Sequence, residues 1–240
     1  MEIHPAPHVH PNKKFTEYAL EFLLIFLAVS AGFFAEKIRE NQGERAKEKE
    51  YIGSFIKNLQ DDTSRMREVI EFNTLEIKGL DSFLLLSKKD LTDPVNLASF
   101  YSLANRYFFN EQLFESNDAT LVQLRNSGGY RLIQKDRVAD SIALYDTRVH
   151  LIYEQGYYYL DYYKQIRGLL DEMADLTLGR QAQSFPQLLT DPAKTRLFFN
   201  KIFEFRIAVF SYCNSQVYIR GHLLYATRLI EFLKKEYELE

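Results

Sequence analysis

Apolar residues recur along this chain with the four–three rhythm of a helix seam. One stripe runs Ile52, Ile56, Leu59, Thr63, Met66, Ile70, Asn73, Ile77, Leu80, Leu84. A second runs Val138, Ile142, Tyr145, Val149, Ile152, Gly156, Tyr159, Tyr163, Ile166, Leu170, Met173. A third runs Phe198, Ile202, Phe205, Val209, Tyr212, Gln216, Ile219, Leu223, Ala226, Ile230, Leu233. A seam kept over so many turns predicts a long helix packed against others. At 1.5 Å per residue each stripe is about 50 Å long. Matched lengths predict an all-α antiparallel bundle of three long helices with one or two short ones. No strand alternation stands out. Thr63, Asn73 and Gln216 are polar interruptions of the seams, a device that can set register; Thr63, beside Asp61 and Asp62, reads as locally solvated.

Punctuation supplies the connections. Asp93 and Pro94 read as cap and first turn of a shorter helix running to about Gln112. Ser116-Asn117-Asp118 reads as the cap of a short helix, Ala119 to Asn126, closed by Gly128-Gly129. Gly179, Pro186 and Asp191-Pro192 mark a second break, Leu178 to Pro192.

Ahead of the first stripe the pattern changes. FTEYALEFLLIFLAVSAGFFA, residues 15–35, is apolar on every face apart from Glu17 and Glu21. As a helix it is about 31 Å long, enough for a hydrocarbon core, and it predicts a single-pass anchor. A cleaved signal peptide is the rival, but helix-favouring sequence runs straight on through Glu36-Lys37-Ile38-Arg39-Glu40. The organisation expected is therefore a disordered tail (1–14), a transmembrane helix (15–35), a charged juxtamembrane helix (36–50) and a helical bundle (51–240). Ala28 and Gly32, with Ala31 and Ala35, are small residues four apart, a spacing that lets helices approach closely. Glu21 is a carboxylate at the edge of the apolar run, either paired in the membrane or reaching its interface. Two basic residues, Lys13 and Lys14, precede the span; five follow within fifteen residues, interleaved with five acids. Taken literally the count puts the bundle in the cytoplasm. Long domains cross largely regardless of charge, and the reading adopted is N-terminus in, bundle outside.

Composition narrows the chemistry. The 240 residues carry 30 basic against 33 acidic side chains, so nothing points to nucleic acid as a partner. Cys213 is the only cysteine, which excludes an intramolecular disulfide and a cysteine-built zinc site. His4, His8 and His10 can share a metal in principle, but their proline-rich surroundings fix no geometry, and the tail reads as incidental. The di-iron pattern of helical bundles fails, because Thr147 and Ile219 stand three before His150 and His222. No catalytic motif is present, so no catalytic residue and no cofactor are assigned. The most unusual run is YEQGYYYLDYY, residues 153–163. Tyr159 and Tyr163 lie on the stripe; Tyr157, Tyr158 and Tyr162 face elsewhere, as phenol tips at the rim of a wide core or as a partner surface.

Two segments carry a resemblance: EFLLIFLAVSAGFFAEKIREN with the following RAKEKEYIGSFIKNLQDD, and FESNDATLVQLRNSGGYRLI. Both are similar to an uncharacterised, domain-of-unknown-function family of bacterial single-pass membrane proteins. The resemblance implies an N-terminal anchor and a helical domain on the outer face of the inner membrane, and no activity. The expected function is a membrane-tethered, non-enzymatic scaffold or accessory subunit, with the bilayer and a protein partner or second copy as its contacts. The alternatives are a sensory ligand-binding bundle signalling through a partner, and an enzyme of unfamiliar type.

Overall fold

The computed structural model describes residues 15–126, 128–177, 188 and 192–239. The fold is all-α: among the described residues every element is helical. The elements are α1 (Phe15–Leu86), α2 (Pro94–Tyr107), α3 (Ala119–Asn126), a 3-10 turn (Gly129–Leu132), α4 (Asp136–Met173), α5 (Pro192–Asn214) and α6 (Ile219–Tyr237). The chain divides into two compact units, Met1–Lys49 and Glu50–Glu240.

In the first unit, α1 is exposed from Phe15 to Gly43, with only Ser30 partly covered. Its 18-residue apolar window has a mean hydropathy of 2.0 and no buried residue. Ala28, Gly32, Ala35 and Glu21 are all exposed on this helix, and among the described residues nothing beyond the helix's own adjoining turns lies within 4 Å of where a Gly32 Cβ would stand. The tail histidines His4, His8 and His10 lie outside the described residues.

The second unit is an up-down-up-down bundle whose legs can be followed through their side-chain contacts. The rest of α1 forms the first leg. The second returns beside it: Phe83 meets Phe100 at 5.6 Å, Asn73 reaches Gln112, and Asn58 reaches Thr120. Helix α4 rises again, parallel to α1, because Asp62 pairs with Tyr145 and Glu76 with Tyr159 at one constant offset. Helices α5 and α6 descend against α4, from Lys194–Glu172 through Phe205–Tyr159 to Lys135–Glu236. All eleven positions of the second stripe are the buried positions of α4.

Four local expectations change. Thr63, read as locally solvated, is buried, with its hydroxyl donating to the Gln60 carbonyl at 2.8 Å. Helix α2 stops at Tyr107 rather than near Gln112, because partners elsewhere in the bundle take up the backbone beyond Phe108, as described below. The N-terminus of α3 is capped from α1, where Asn58 Oδ1 accepts from the Thr120 N–H at 3.2 Å; Ser116 and Asn117 turn their side chains to Asp62 and Asp61 instead. The third long helix is two helices, parted at Ser215–Tyr218. There the Gly221 N–H donates to the Ser215 carbonyl, and a Cβ on Gly221 would sit 1.7 Å from the Gln216 oxygen. Only glycine admits that turn. Gln216 is exposed in it rather than seated on a seam. Asp93 caps α2 as expected, accepting from the Val95 and Asn96 N–H groups, with Pro94 in the first turn. Gly128 takes the left-handed conformation after α3 at φ 67°. Gly179 and Pro186 lie outside the described residues.

Candidate functional site: a polar core and the tyrosine groove beside it

On α1 the buried face includes Phe55, Asp62, Val69, Glu76 and Phe83, one every seven residues. Two of the five are carboxylates, 0% and 2% exposed. Tyr145 and Tyr159 stand at the same spacing on the parallel helix α4, so each acid meets a phenol. Such a position is costly unless the charge collects donors. Asp62 does: it accepts from the Tyr145 hydroxyl and the Ser116 hydroxyl, each at 2.5 Å, and from the Asn117 N–H at 2.6 Å. Burial, then the Asp62 charge, holds the Tyr145 phenol well above its ordinary value, so it stays a donor.

This acid fastens the extended stretch between α2 and α3. The Phe114 N–H donates to Tyr212 Oη at 2.9 Å, and the Ser116 N–H to Tyr153 Oη at 3.0 Å. Asn73 Nδ2 donates to the Gln112 carbonyl and Arg65 to the Glu115 carbonyl. The backbone groups a helix would have used are satisfied by side chains from α1, α4 and α5. The segment FESNDAT is irregular because the bundle holds it that way.

Glu76 has a poorer setting. It accepts one bond, from the Tyr159 hydroxyl at 2.7 Å, while its Oε1 has no hydrogen-bond partner among the described residues. Desolvation outweighs the Tyr159 bond and, with Glu111 nearby, raises its pKa to about 8. At neutral pH it is mostly a neutral acid. Cys213 is buried and reduced, its thiol pushed up to about 12 chiefly by burial, which removes the thiolate that reactivity needs. His222 is fully buried against Tyr145, ring centroids 4.5 Å apart, and neither nitrogen has a hydrogen-bond partner among the described residues. Burial, helped by Arg148, lowers it to about 3, so it is a neutral ring used as packing.

Outside this core lies a groove of about 420 Å³. Leu113 to Ser116 form one wall, Ile152, Tyr153, Gly156 and Tyr157 the other, with Tyr212 also lining it. It thus joins the tyrosine run to the segment that carries the family resemblance. No protein-family model, curated protein or solved structure matches the chain. Among the sequence-predicted surface residues, Tyr157 is 73% exposed and lines the groove; Tyr158 is exposed and Tyr162 half-buried, and neither lines it. Lys201 sits 5.8 Å from the Tyr162 ring. Among the described residues no group of three His, Cys, Asp or Glu side chains could hold a metal.

Sequence reasoning missed Asp62, Glu76 and His222 as core residues. The signal for the first two was the seven-residue repeat from Phe55 to Phe83, which a seam drawn through apolar residues steps around. It also missed an outer stripe on α5, where Phe203, Ile207 and Phe210 are each about half exposed.

Proposed function

We propose that this chain is a single-pass membrane protein of a bacterial inner membrane, with its bundle on the periplasmic side acting as a non-enzymatic scaffold or accessory subunit of an envelope complex. The observation that carries the reading is the contrast between two kinds of helix surface. From Phe22 to Leu27 six successive side chains are apolar and exposed, and six successive positions cover every direction around a helix. Such a surface is stable in lipid and not in water. The helices of the second unit instead bury one continuous face, as α4 does from Val138 to Met173. Assignment to the single-pass family rests on the two segments quoted above, and the orientation on the cost of moving Lys13 and Lys14 across.

A scaffold role draws on the outer face of α5. Phe203, Ile207 and Phe210 recur at i, i+4 and i+7 and form an apolar strip of the kind that marks contact sites. The buried Cys213, His222 and Tyr145, meanwhile, are held in unreactive forms. A second reading, a ligand-sensing bundle that signals through a partner, draws on the groove beside Tyr153.

The reading is tested by extraction and cross-linking of the full chain. Membranes washed with alkaline carbonate should keep the wild type and release the double variant Leu24→Arg, Ile25→Arg. In cells, cross-linking should yield a larger species that the double variant Phe203→Glu, Phe210→Glu loses while its thermal melt is unchanged. Release of the wild type by carbonate would remove the anchor, and an unchanged cross-linking pattern would remove the α5 surface.

A further inference from the structure

We propose that the groove between the extended segment and α4 binds a small organic cation, an alkylated ammonium compound free in solution. The inference rests on the groove alone and not on the membrane reading. Four aromatic rings line it: the buried Phe114 and Tyr212, the half-buried Tyr153 and the exposed Tyr157. The exposed acids Glu115 and Asp118 line it as well, and among the described residues no Lys, Arg or His does. Aromatic faces attract cations through their quadrupole, and alkylated ammonium groups are easily desolvated, so rings and carboxylates together favour that class over anions or neutral polar molecules. The volume is that of a small-molecule site.

Two features make this more than a chance cluster. The first is that several of the protein's other aromatics each carry a cation. Arg148 stands over Tyr225 at 5.0 Å, Arg167 over Phe109 at 4.9 Å and Lys135 over Tyr237 at 4.7 Å. Among the described residues none of the four groove rings has such a resident cation. Two basic groups beside the groove have other engagements: Arg65 reaches the Glu115 carbonyl, and His150 meets Tyr153 with ring centroids 6.4 Å apart and lies 3.9 Å from Asp146. The second is rigidity. The Tyr153 and Tyr212 oxygens accept backbone bonds from Ser116 and Phe114, which clamps both rings before a ligand arrives. Gly156 leaves the space clear: a Cβ there would meet Leu113 at 3.7 Å and Tyr212 at 3.9 Å, so a small side chain fits and a large one enters the groove.

The test is calorimetric titration of the full chain in dodecyl maltoside, whose headgroup is uncharged, with choline and with its neutral isostere 3,3-dimethylbutan-1-ol. Choline is expected to bind about tenfold tighter than the isostere, the margin of one or two desolvated cation–π contacts. Tyr157→Ala should weaken choline with little effect on the isostere, and the pair Glu115→Gln, Asp118→Asn should remove most of the preference. Gly156→Leu should abolish binding of both. Because Tyr157, Glu115 and Asp118 are exposed, their variants fold even if Gly156→Leu does not. Equal affinity for the two probes overturns the proposal, as does choline binding that none of these exposed-site variants alters. So does absence of measurable choline binding to the wild type.

Discussion

The buried Glu76 makes a quantitative demand on how stability depends on pH. Its carboxyl titrates near 8 in the folded protein against a reference value of 4.5. The folded state therefore holds the proton more tightly than the unfolded chain does. The stabilisation from that proton is fully present below pH 4.5 and is lost as pH rises through 8. Between the two values the slope is about 1.4 kcal/mol per pH unit, which accumulates to roughly 4–5 kcal/mol by pH 8. Glu76→Gln keeps an oxygen for the Tyr159 hydroxyl and removes the titration. The amide it adds has no partner waiting among the described residues, a cost of about 1–3 kcal/mol that is the same at every pH. Urea unfolding followed by circular dichroism at pH 5 and pH 8 gives the comparison in detergent. The variant should be weaker than wild type at pH 5 and should gain on it by about 3–5 kcal/mol by pH 8. Glu111 and Tyr159 are present in both proteins, so their contributions largely cancel. Parallel stability curves for the two proteins would refute the reasoning, because Glu76 would then titrate as an ordinary exposed acid.

The remaining predictions concern the core and the turns. Asp62→Asn takes the charge from three donors and should cost about 2–4 kcal/mol, with hydrogen exchange accelerating first at Phe114, Ser116, Asn117 and Thr120. Uniform acceleration over the bundle would contradict the idea that Asp62 fastens this segment. Gly221→Ala should cost about 2–4 kcal/mol in a thermal melt, since its Cβ collides with backbone; Gly168→Ala, with open space at its Cβ, should stabilise by about 0.5–1 kcal/mol. Equal effects would place the two glycines in the same environment. His222→Phe should leave stability at pH 7 unchanged or raise it by about 1 kcal/mol, since it replaces two ring nitrogens that have no hydrogen-bond partner among the described residues. It should also remove the loss of stability that wild type shows as pH falls from 6.5 towards 3, the direction required by a histidine whose pKa is depressed on folding.

Much of the bundle was legible because α4 obeys one rule along its whole length. From Val138 to Met173 every stripe position is buried, including Gly156 and the tyrosines. Helix α1 is harder to read, since its buried face takes in Asp62 and Glu76, residues a hydrophobicity pattern assigns to water. Their burial depends on Tyr145, Tyr159 and Ser116, donors far away in sequence. The same non-locality hides the end of α2, where residues beyond Phe108 have helical character but find partners on three other helices. The seam from Phe198 to Leu233 runs through the α5–α6 break because both helices face one core; the residue that reveals the break, Gly221, needs the Gln216 carbonyl beside it to be understood. For the groove, one wall belongs to the unusual tyrosine run and the other to the segment that carries the family resemblance, but nothing local says that Tyr153 and Phe114 meet.

The claim that a single anchor holds this bundle outside the inner membrane is tested most directly by labelling. In a full-length chain with Cys213→Ala and Lys89→Cys, the new thiol sits in the exposed turn after α1. An impermeant maleimide applied to cells whose outer membrane alone is permeabilised should label it fully. Protection that disappears only on lysis would put the bundle in the cytoplasm and contradict the account.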